Sequence, residues 1–443
     1  MKKVALFVSC FIDAFYPEVG IATLELLERL GVEVDYPQEQ TCCGQPMAKS
    51  GAQKEAAGAE RVFARNFADY DYVVGPSASC IHHVREHLTV IEQTASVRKV
   101  RTSAYELVEF LHDVLKVREF PWAEFPHRVG LHNSCSAIRH LKEVSASEIN
   151  GTPFSKPRAL LEGVKGIEFV TPSRPDECCG FGGTFSVTEE AVSVRMGQDK
   201  VHDHLGAGAQ YIVSGDMSCL MHQQGCAERL KFDARFHPHC PDPERSTRMS
   251  DVVKGKSKRL DHAKVAGAFI AKEDHVAFHD KRLWDLCSKR DAQAHGMPEW
   301  ETLCELASGI KEHTLSNLAD YLDQFITQAE SHGVIVHYAS TAEEHNEIVY
   351  KLMSERGLTT LVKSKSMLTD ECKMREYIEP RGITVMETDL GERIQQLDNQ
   401  DPSHMVVPAV HKLRADVAEL FDRTIGTDPK NSDIHYFSPK ASA

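Results

Sequence analysis

The hydrophobic pattern at the start of the chain alternates between short apolar runs and longer amphipathic stretches. Residues 4–8 form a continuous apolar run that is typical of a buried strand. Pro17 and Gly31 bracket a stretch with an apolar residue at every third or fourth position, which predicts a helix. The pattern then predicts a strand, a helix and a strand at 32–36, 52–68 and 72–74. This alternation is typical of a mostly parallel α/β sheet.

The same pattern recurs later in the chain, organised around cysteine. Each copy has an apolar segment ending in cysteine, a Cys-Cys-Gly triplet, and a second apolar segment ending in cysteine. The last segments, YVVGPSASC and YIVSGDMSC, align without a gap at an offset of 139 residues. The repeat predicts two similar α/β units, at residues 1–120 and 121–236. The matched cysteines are Cys10 with Cys135, Cys42 and Cys43 with Cys178 and Cys179, and Cys80 with Cys219.

A polar, proline-bearing and basic segment at 237–263 predicts a linker to a further domain at 264–443. The pattern at residues 264–330 predicts helices. The last of them is amphipathic, with apolar residues at Leu315, Leu318, Leu322 and Phe325. Beyond that point, the pattern again alternates between strands and helices. The predicted strands lie near 334, 360, 383 and 405, so this region is also predicted to be α/β.

Composition narrows the possible function. The net charge of −14 argues against a nucleic-acid partner. No apolar stretch reaches the roughly 20 residues of a transmembrane segment, and no export signal is seen, so we expect a cytoplasmic protein. Thirteen cysteines, an odd number in a large chain without an export signal, favour metal or redox chemistry over a disulfide framework.

The eight repeated cysteines predict two metal sites. Each cysteine follows a predicted strand, and the loops after parallel strands gather at one edge of a sheet. The spacers are 31 and 36 residues in the first unit and 42 and 39 in the second, much longer than in structural zinc sites. We expect one set to be Cys10, Cys42, Cys43 and Cys80, and the other Cys135, Cys178, Cys179 and Cys219. Such sets suit iron–sulfur clusters, while zinc or plain buried cysteines remain alternatives.

The repeat, with CCGQP at 42–46 and CCGFGGTFSV at 178–187, resembles the cysteine-rich CCG domain. This family includes the cysteine-rich component of heterodisulfide reductase, the iron–sulfur component of glycolate oxidase, and the lactate-utilisation iron–sulfur proteins of the LutA type, which the strings match best. The resemblance covers about residues 1–235. In the reductase each unit ends in Cys-x-x-Cys, but here His83 and His222 take the last position. Four thiolates still suffice for a [4Fe–4S] cluster, and the two histidines are weaker candidates for an additional ligand.

The C-terminal part resembles the LUD domain of the larger LutB-type lactate-utilisation proteins, from about 264 to 425. The matching strings include LVKSKSMLTDE and VMETDLGERIQQL. That family continues into a ferredoxin-like module that is not found in this sequence. The resemblance therefore predicts a LutA-like protein fused to a C-terminally truncated LUD domain. A truncated sheet would expose strand edges and apolar surface.

The resemblance implies an oxidoreductase subunit that is not sufficient alone for catalysis. We expect an iron–sulfur electron-transfer component, with one or two clusters, of a complex that oxidises L-lactate to pyruvate. A full-length LutB-like protein and a LutC-like protein are the expected partners. A component of a glycolate oxidase or of a heterodisulfide-reductase-like complex is an alternative, and a zinc-binding scaffold without redox activity is another. No residue identifies itself as the base that takes a proton from lactate.

Overall fold

The computed structural model describes residues 2–230, 235–237 and 262–428, which divide into two compact units at residues 271 and 272. The predicted boundary between residues 120 and 121 lies inside the first unit. The predicted linker, 237–263, lies almost wholly outside the described residues, so these bounds stay predictions. Within the described part of the chain, no helix is long and apolar enough to span a membrane.

The first unit contains two four-stranded parallel sheets with the same strand order. In the first sheet β1 pairs with β2 and β3, and β3 pairs with β4; in the second, β5 pairs with β6 and β7, and β7 pairs with β8. The repeated α/β architecture predicted from the cysteine pattern is therefore confirmed. The strands are β1 (Val4–Leu6), β2 (Val34–Asp35), β3 (Tyr72–Gly75), β4 (Ala104–Glu106), β5 (Arg128–Leu131), β6 (Glu168–Val170), β7 (Tyr211–Val213) and β8 (Arg235–His237).

Helices connect and cover both sheets. The predicted helix after Pro17 is observed at Pro17–Arg29, and proline suits its first turn because that position needs no backbone N–H. The other α-helices of this unit are Cys10–Phe15, Gln45–Lys49, Gln53–Phe67, Ala78–His82, Ala95–Ser103, Leu107–Glu109, Lys156–Leu161, Phe185–Thr188, Glu190–Gly206, Met217–Arg229 and His262–Ile270, and π-helical turns lie at His83–His87, Phe110–Val114 and Ser136–His140.

The two halves of the first unit pack against each other through apolar side chains. Ile12 of the first half is buried in one cluster with Ile212 and Leu220 of the second. The main core of the first sheet also includes Ala137 and Leu141. Because burial of each large apolar side chain stabilises the fold by about 1.5–3 kcal/mol, these shared clusters hold the two sheets together.

In its described residues, 272–428, the second unit has one parallel pair of strands, β9 (Thr360–Lys363) and β10 (Thr384–Glu387). The strands predicted near 360 and 383 are confirmed. Its helices are Glu273–His295, Trp300–Ser316, Leu318–Ser331, Ala342–Ser354, Met367–Glu371, Met374–Ile378, Leu390–Asp398 and Arg414–Ile425, with a 3-10 turn at Glu379–Arg381.

The prediction of strands near 334 and 405 is wrong. Residues 334–339 and 401–407 are irregular, and most of their apolar side chains face solvent, with Ile335 75% and Val406 74% exposed. An apolar run forms a strand only where a neighbouring strand accepts its backbone hydrogen bonds. The described part of this unit supplies no such neighbour for either run.

Candidate functional site

The carboxyl end of the first sheet gathers the four predicted cysteines of the first set. Cys10 begins the helix that follows β1, Cys42 and Cys43 lie in the loop after β2, and Cys80 lies in the helix after β3. The Cys10 thiol donates to the Cys42 sulfur, with the two Sγ atoms 3.5 Å apart. Cys43 interacts with both Cys42 and Cys80. The four sulfurs therefore form one continuous chain of contacts.

The second sheet repeats this arrangement. Cys135 follows β5, Cys178 and Cys179 follow β6, and Cys219 lies in the helix after β7. The side chains interact in sequence, Cys135 with Cys178, Cys178 with Cys179, and Cys179 with Cys219. All eight cysteines in the two sets are free of disulfides. The structure thus brings each predicted set together at the end of its own sheet.

Within each set, the contacts between thiols shift their pKa values in opposite directions. Hydrogen bonds from Cys10 and Cys43 lower the pKa of Cys42 to about 2, while the contact with Cys42 raises the pKa of Cys10. In the second set, the contact with Cys178 raises the pKa of Cys135. Four thiolates this close repel one another, so all four ionise together only when a cation lies among them. The donor sets fit a thiolate-bound metal centre of the iron–sulfur or zinc class.

The glycine of each triplet is required by geometry. Gly44 and Gly180 have φ of +93° and +87°, a region that residues with a side chain rarely occupy. Their N–H groups donate to the sulfurs of Cys42 and Cys178, both at 3.4 Å. A Cβ at position 180 would lie 2.5 Å from the carbonyl oxygen of Ser193. The triplet therefore places an N–H donor against the first sulfur of each pair.

The two thiol sets are neighbours in the same unit. Asp216 of the second half accepts a hydrogen bond from the Ser79 N–H of the first, at 3.3 Å. Its carboxylate acts electrostatically on Cys80 as well as on Cys135 and Cys219. One buried charge thus influences both sets, and the two sheets present their cysteine loops toward each other.

The two histidines at the ends of the repeats differ in their contacts. His83 is buried beside Cys42, and its Nε2 lies 3.7 Å from a carboxylate oxygen of Glu60. His222 instead interacts through Nε2 with the backbone carbonyl of Ser193, at 3.0 Å. Burial lowers the pKa of His83 to about 4 and also lowers that of His222, so both imidazoles are neutral near pH 7. The ligand role considered for them stays a prediction.

One residue of the site was missed by the sequence analysis. His132 follows β5 and is 1% exposed, and one of its ring nitrogens and the Sγ atoms of Cys179 and Cys219 all lie within 4.8 Å of one another. The repeat could have marked His132, because it stands three residues before Cys135, whereas the first copy has the apolar Phe7 three residues before Cys10. A polar residue at an otherwise apolar position of the repeat is a departure from the pattern. A single histidine in an apolar segment otherwise looks like an ordinary core residue.

Comparison with known proteins supports the two-part organisation. The cysteine-rich domain family CCG matches residues 4–85 and 129–224, and the LUD domain family matches residues 322–438. Over 232 residues the chain is 44% identical to lactate utilization protein A of Geobacillus kaustophilus and 42% identical to that of Geobacillus thermodenitrificans; each match covers 52% of this chain and 92% of the relative. The protein of the same name from Oceanobacillus iheyensis is 38% identical over 237 residues, which cover 53% of this chain and 93% of the relative.

Proposed function

We propose that this chain, which belongs to the lactate utilization A family, is an iron–sulfur electron-transfer component of a complex that oxidises L-lactate to pyruvate. One observation carries the proposal: two sets of four cysteines occupy equivalent positions at the ends of two equivalent sheets. A duplicated thiolate centre suits electron transfer, because two centres in one unit can exchange an electron, and a single structural ion has no need of duplication.

The residues have distinct roles in this proposal. Cys10, Cys42, Cys43 and Cys80 would hold one cluster, and the matching set in the second half would hold the other. When bound, such clusters supply one-electron donors and acceptors at a potential set by their surroundings. The protein contributes the fixed sulfurs, and the N–H groups of Gly44 and Gly180 stabilise negative charge on those sulfurs.

Oxidation of lactate also removes two protons. We assign this substrate chemistry to partner proteins of the LutB and LutC type, because the resemblance implies a subunit that is not sufficient alone for catalysis. The LUD region, present in this chain at 322–438, belongs to a family shared with such partners. The localisation that follows from this role is cytoplasmic.

A zinc centre is the second candidate, because one distance favours it. A tetrahedral ion with Zn–S bonds of about 2.3 Å holds its sulfurs about 3.8 Å apart. The Cys10 and Cys42 sulfurs, 3.5 Å apart, are close to that spacing. Zinc would make the chain a scaffold without redox activity, and this outcome is tested separately below.

The test of the proposal is substrate-dependent reduction. The full chain, reconstituted anaerobically with iron and sulfide, is mixed with LutB-type and LutC-type partners and L-lactate, and the visible absorption is followed. The proposal expects bleaching with lactate. It expects none in the Cys42→Ser/Cys43→Ser/Cys178→Ser/Cys179→Ser variant, and wild-type behaviour in Cys287→Ser, whose thiol lies in the second unit. Bleaching by glycolate but not by lactate would instead favour the glycolate-oxidase alternative.

A further inference from the structure

The two thiol sets lie in different surroundings, and His132 marks the difference. This imidazole is completely buried, and neither of its ring nitrogens has a hydrogen-bond partner among the described residues. A buried polar group without a partner costs about 1–3 kcal/mol. The sulfurs of Cys179 and Cys219 lie within 4.8 Å of the imidazole. The side chain is thus positioned to serve whatever those two sulfurs bind.

The equivalent position in the first half is apolar. Phe7 stands three residues before Cys10, as His132 stands three before Cys135. The Phe7 ring packs edge-on against Phe63, with centroids 4.9 Å apart, and against Phe67, with centroids 5.8 Å apart. All three phenylalanines are fully buried. At this position the first thiol set therefore rests on an aromatic layer, while the buried His83, with Glu60 3.7 Å away, lies beside Cys42.

Each Cys-Cys-Gly triplet packs against a helix, and the two helices can be aligned through their contacts with Gly44 and Gly180. A Cβ on Gly44 would meet the backbone of Ala56, and a Cβ on Gly180 would meet the backbone of Ser193. Ser193 stands 137 residues after Ala56. The helices Gln53–Phe67 and Glu190–Gly206 therefore correspond at this offset.

At the same offset, Lys200 occupies the position of Phe63, and His204 occupies the position of Phe67. Both are buried, at 0% exposure, and the rings of His132 and His204 lie 6.3 Å apart. The Lys200 Nζ donates to the carbonyl oxygens of Arg174 and Pro175 and acts electrostatically on His132 and Cys179. A polar layer that holds the Lys200 ammonium therefore stands in place of the aromatic one, and Glu177, Asp203 and Asp176 also act on that ammonium.

These layers have different effects on a bound cluster. Reduction makes a cluster more negative, so nearby cations and N–H donors stabilise the reduced state and raise the reduction potential. Apolar surroundings give no such stabilisation. We propose that His132, whose imidazole lies beside the sulfurs of Cys179 and Cys219, and the charge of Lys200 make the second cluster the higher-potential member of an unequal pair. This inference rests on the proposed iron–sulfur clusters.

The experiment is a redox titration of the reconstituted full chain followed by electron paramagnetic resonance. Wild type should show two reduction waves, and the wave absent in Cys178→Ser/Cys179→Ser should be the one at higher potential. His132→Phe, which copies the first half, should lower that wave by about 59 mV or more, a tenfold change in the one-electron equilibrium. Lys200→Met should lower the same wave. His132→Gln, which keeps an N–H donor, should shift it less.

Phe7→Leu is the matched control, because it changes the equivalent position without adding a polar group; the higher-potential wave should not move. If His132→Phe prevents folding, the His132→Gln and Lys200→Met titrations decide the question. Two clusters whose waves are unchanged in those variants would overturn this inference and leave the proposed function standing. A wild-type protein that binds no iron would overturn both.

Discussion

Asp216 joins the two halves of the cysteine-rich unit to each other through a single carboxylate. Its Oδ2 accepts the backbone N–H of Ser79 at 3.3 Å, and its Oδ1 accepts the N–H and hydroxyl of Ser218 at 3.3 and 2.6 Å. The second contact caps the helix Met217–Arg229, which carries Cys219. One side chain therefore fixes a helix start in one half and holds the neighbouring cysteine helix of the other.

Replacement of Asp216 should weaken the whole unit. Asp216→Ala removes an N-cap, worth about 1 kcal/mol, and a charge-assisted bond to Ser79, worth about 1.5 kcal/mol or more. We expect the free energy of unfolding in urea, followed by circular dichroism, to fall by about 2.5 kcal/mol. Asp199→Ala, which breaks only an i,i+4 pair with Arg195, should change it by about 0.5 kcal/mol or less. Equal effects in the two variants would contradict the bridging role.

The buried carboxyl pair Glu106 and Glu143 predicts a pH dependence of stability. Burial raises the pKa of Glu106 and raises that of Glu143 to about 8; Glu109 adds repulsion, while Lys156 and Arg85 oppose the shift at Glu143. The folded protein holds protons that the unfolded chain has lost. Stability is therefore full below about pH 4.5 and falls as the pH rises towards 8.

Glu143→Gln removes that contribution from Glu143, since glutamine stays neutral. The variant should gain stability relative to wild type as the pH is raised from 5.5 to 8, as measured by urea unfolding at each pH. Glu148→Gln, at an exposed ion pair with Arg139, is the control and should not change the slope. Parallel pH profiles for wild type and Glu143→Gln would contradict the assignment.

Gly180→Ala tests the shape of the second cysteine loop. The new Cβ would lie 2.5 Å from the Ser193 carbonyl oxygen in addition to adopting an unfavourable positive φ. We expect loss of the metal bound by the second set, read as about half of the wild-type metal content. Gly183→Ala is the control: Gly183 also has a positive φ, but a Cβ added there would meet no atom within 4 Å. It should keep its metal and lose only about 1 kcal/mol of stability.

Lys363 and Glu387 form a buried ion pair in the second unit, 2.6 Å apart at the ends of β9 and β10, and Lys363 also lies 3.6 Å from Asp370. Lys363→Met should lower the unfolding free energy by about 3 kcal/mol, because it leaves the Glu387 carboxylate buried and unpaired. Lys363→Met/Glu387→Leu should recover much of that loss. Lys351→Met, at an exposed lysine, is the control and should have little effect. A double variant no more stable than the single one would show that the pair itself is not responsible.

The sequence predicted the parts of the structure that depend on local pattern. The buried strand near Val4, the helix at Pro17–Arg29 and the cysteine repeat all follow from periodicity and spacing. The runs near 334 and 405 have the same apolar character but lack partners, which a local pattern does not reveal. The role of His132 depends on which helix residues lie beside it. Those neighbours follow from the alignment of the helices Gln53–Phe67 and Glu190–Gly206, which rests on the contacts of Gly44 and Gly180 in the folded protein.

The most direct test of the central claim is the iron, acid-labile sulfide and zinc content of the anaerobically reconstituted full chain and of two double variants. We expect wild type to hold iron and sulfide in equal amounts. We expect Cys42→Ser/Cys43→Ser and Cys178→Ser/Cys179→Ser each to lose about half, because each disrupts one of two equivalent sets. A protein that holds stoichiometric zinc and no sulfide would contradict the electron-transfer role and leave a structural one.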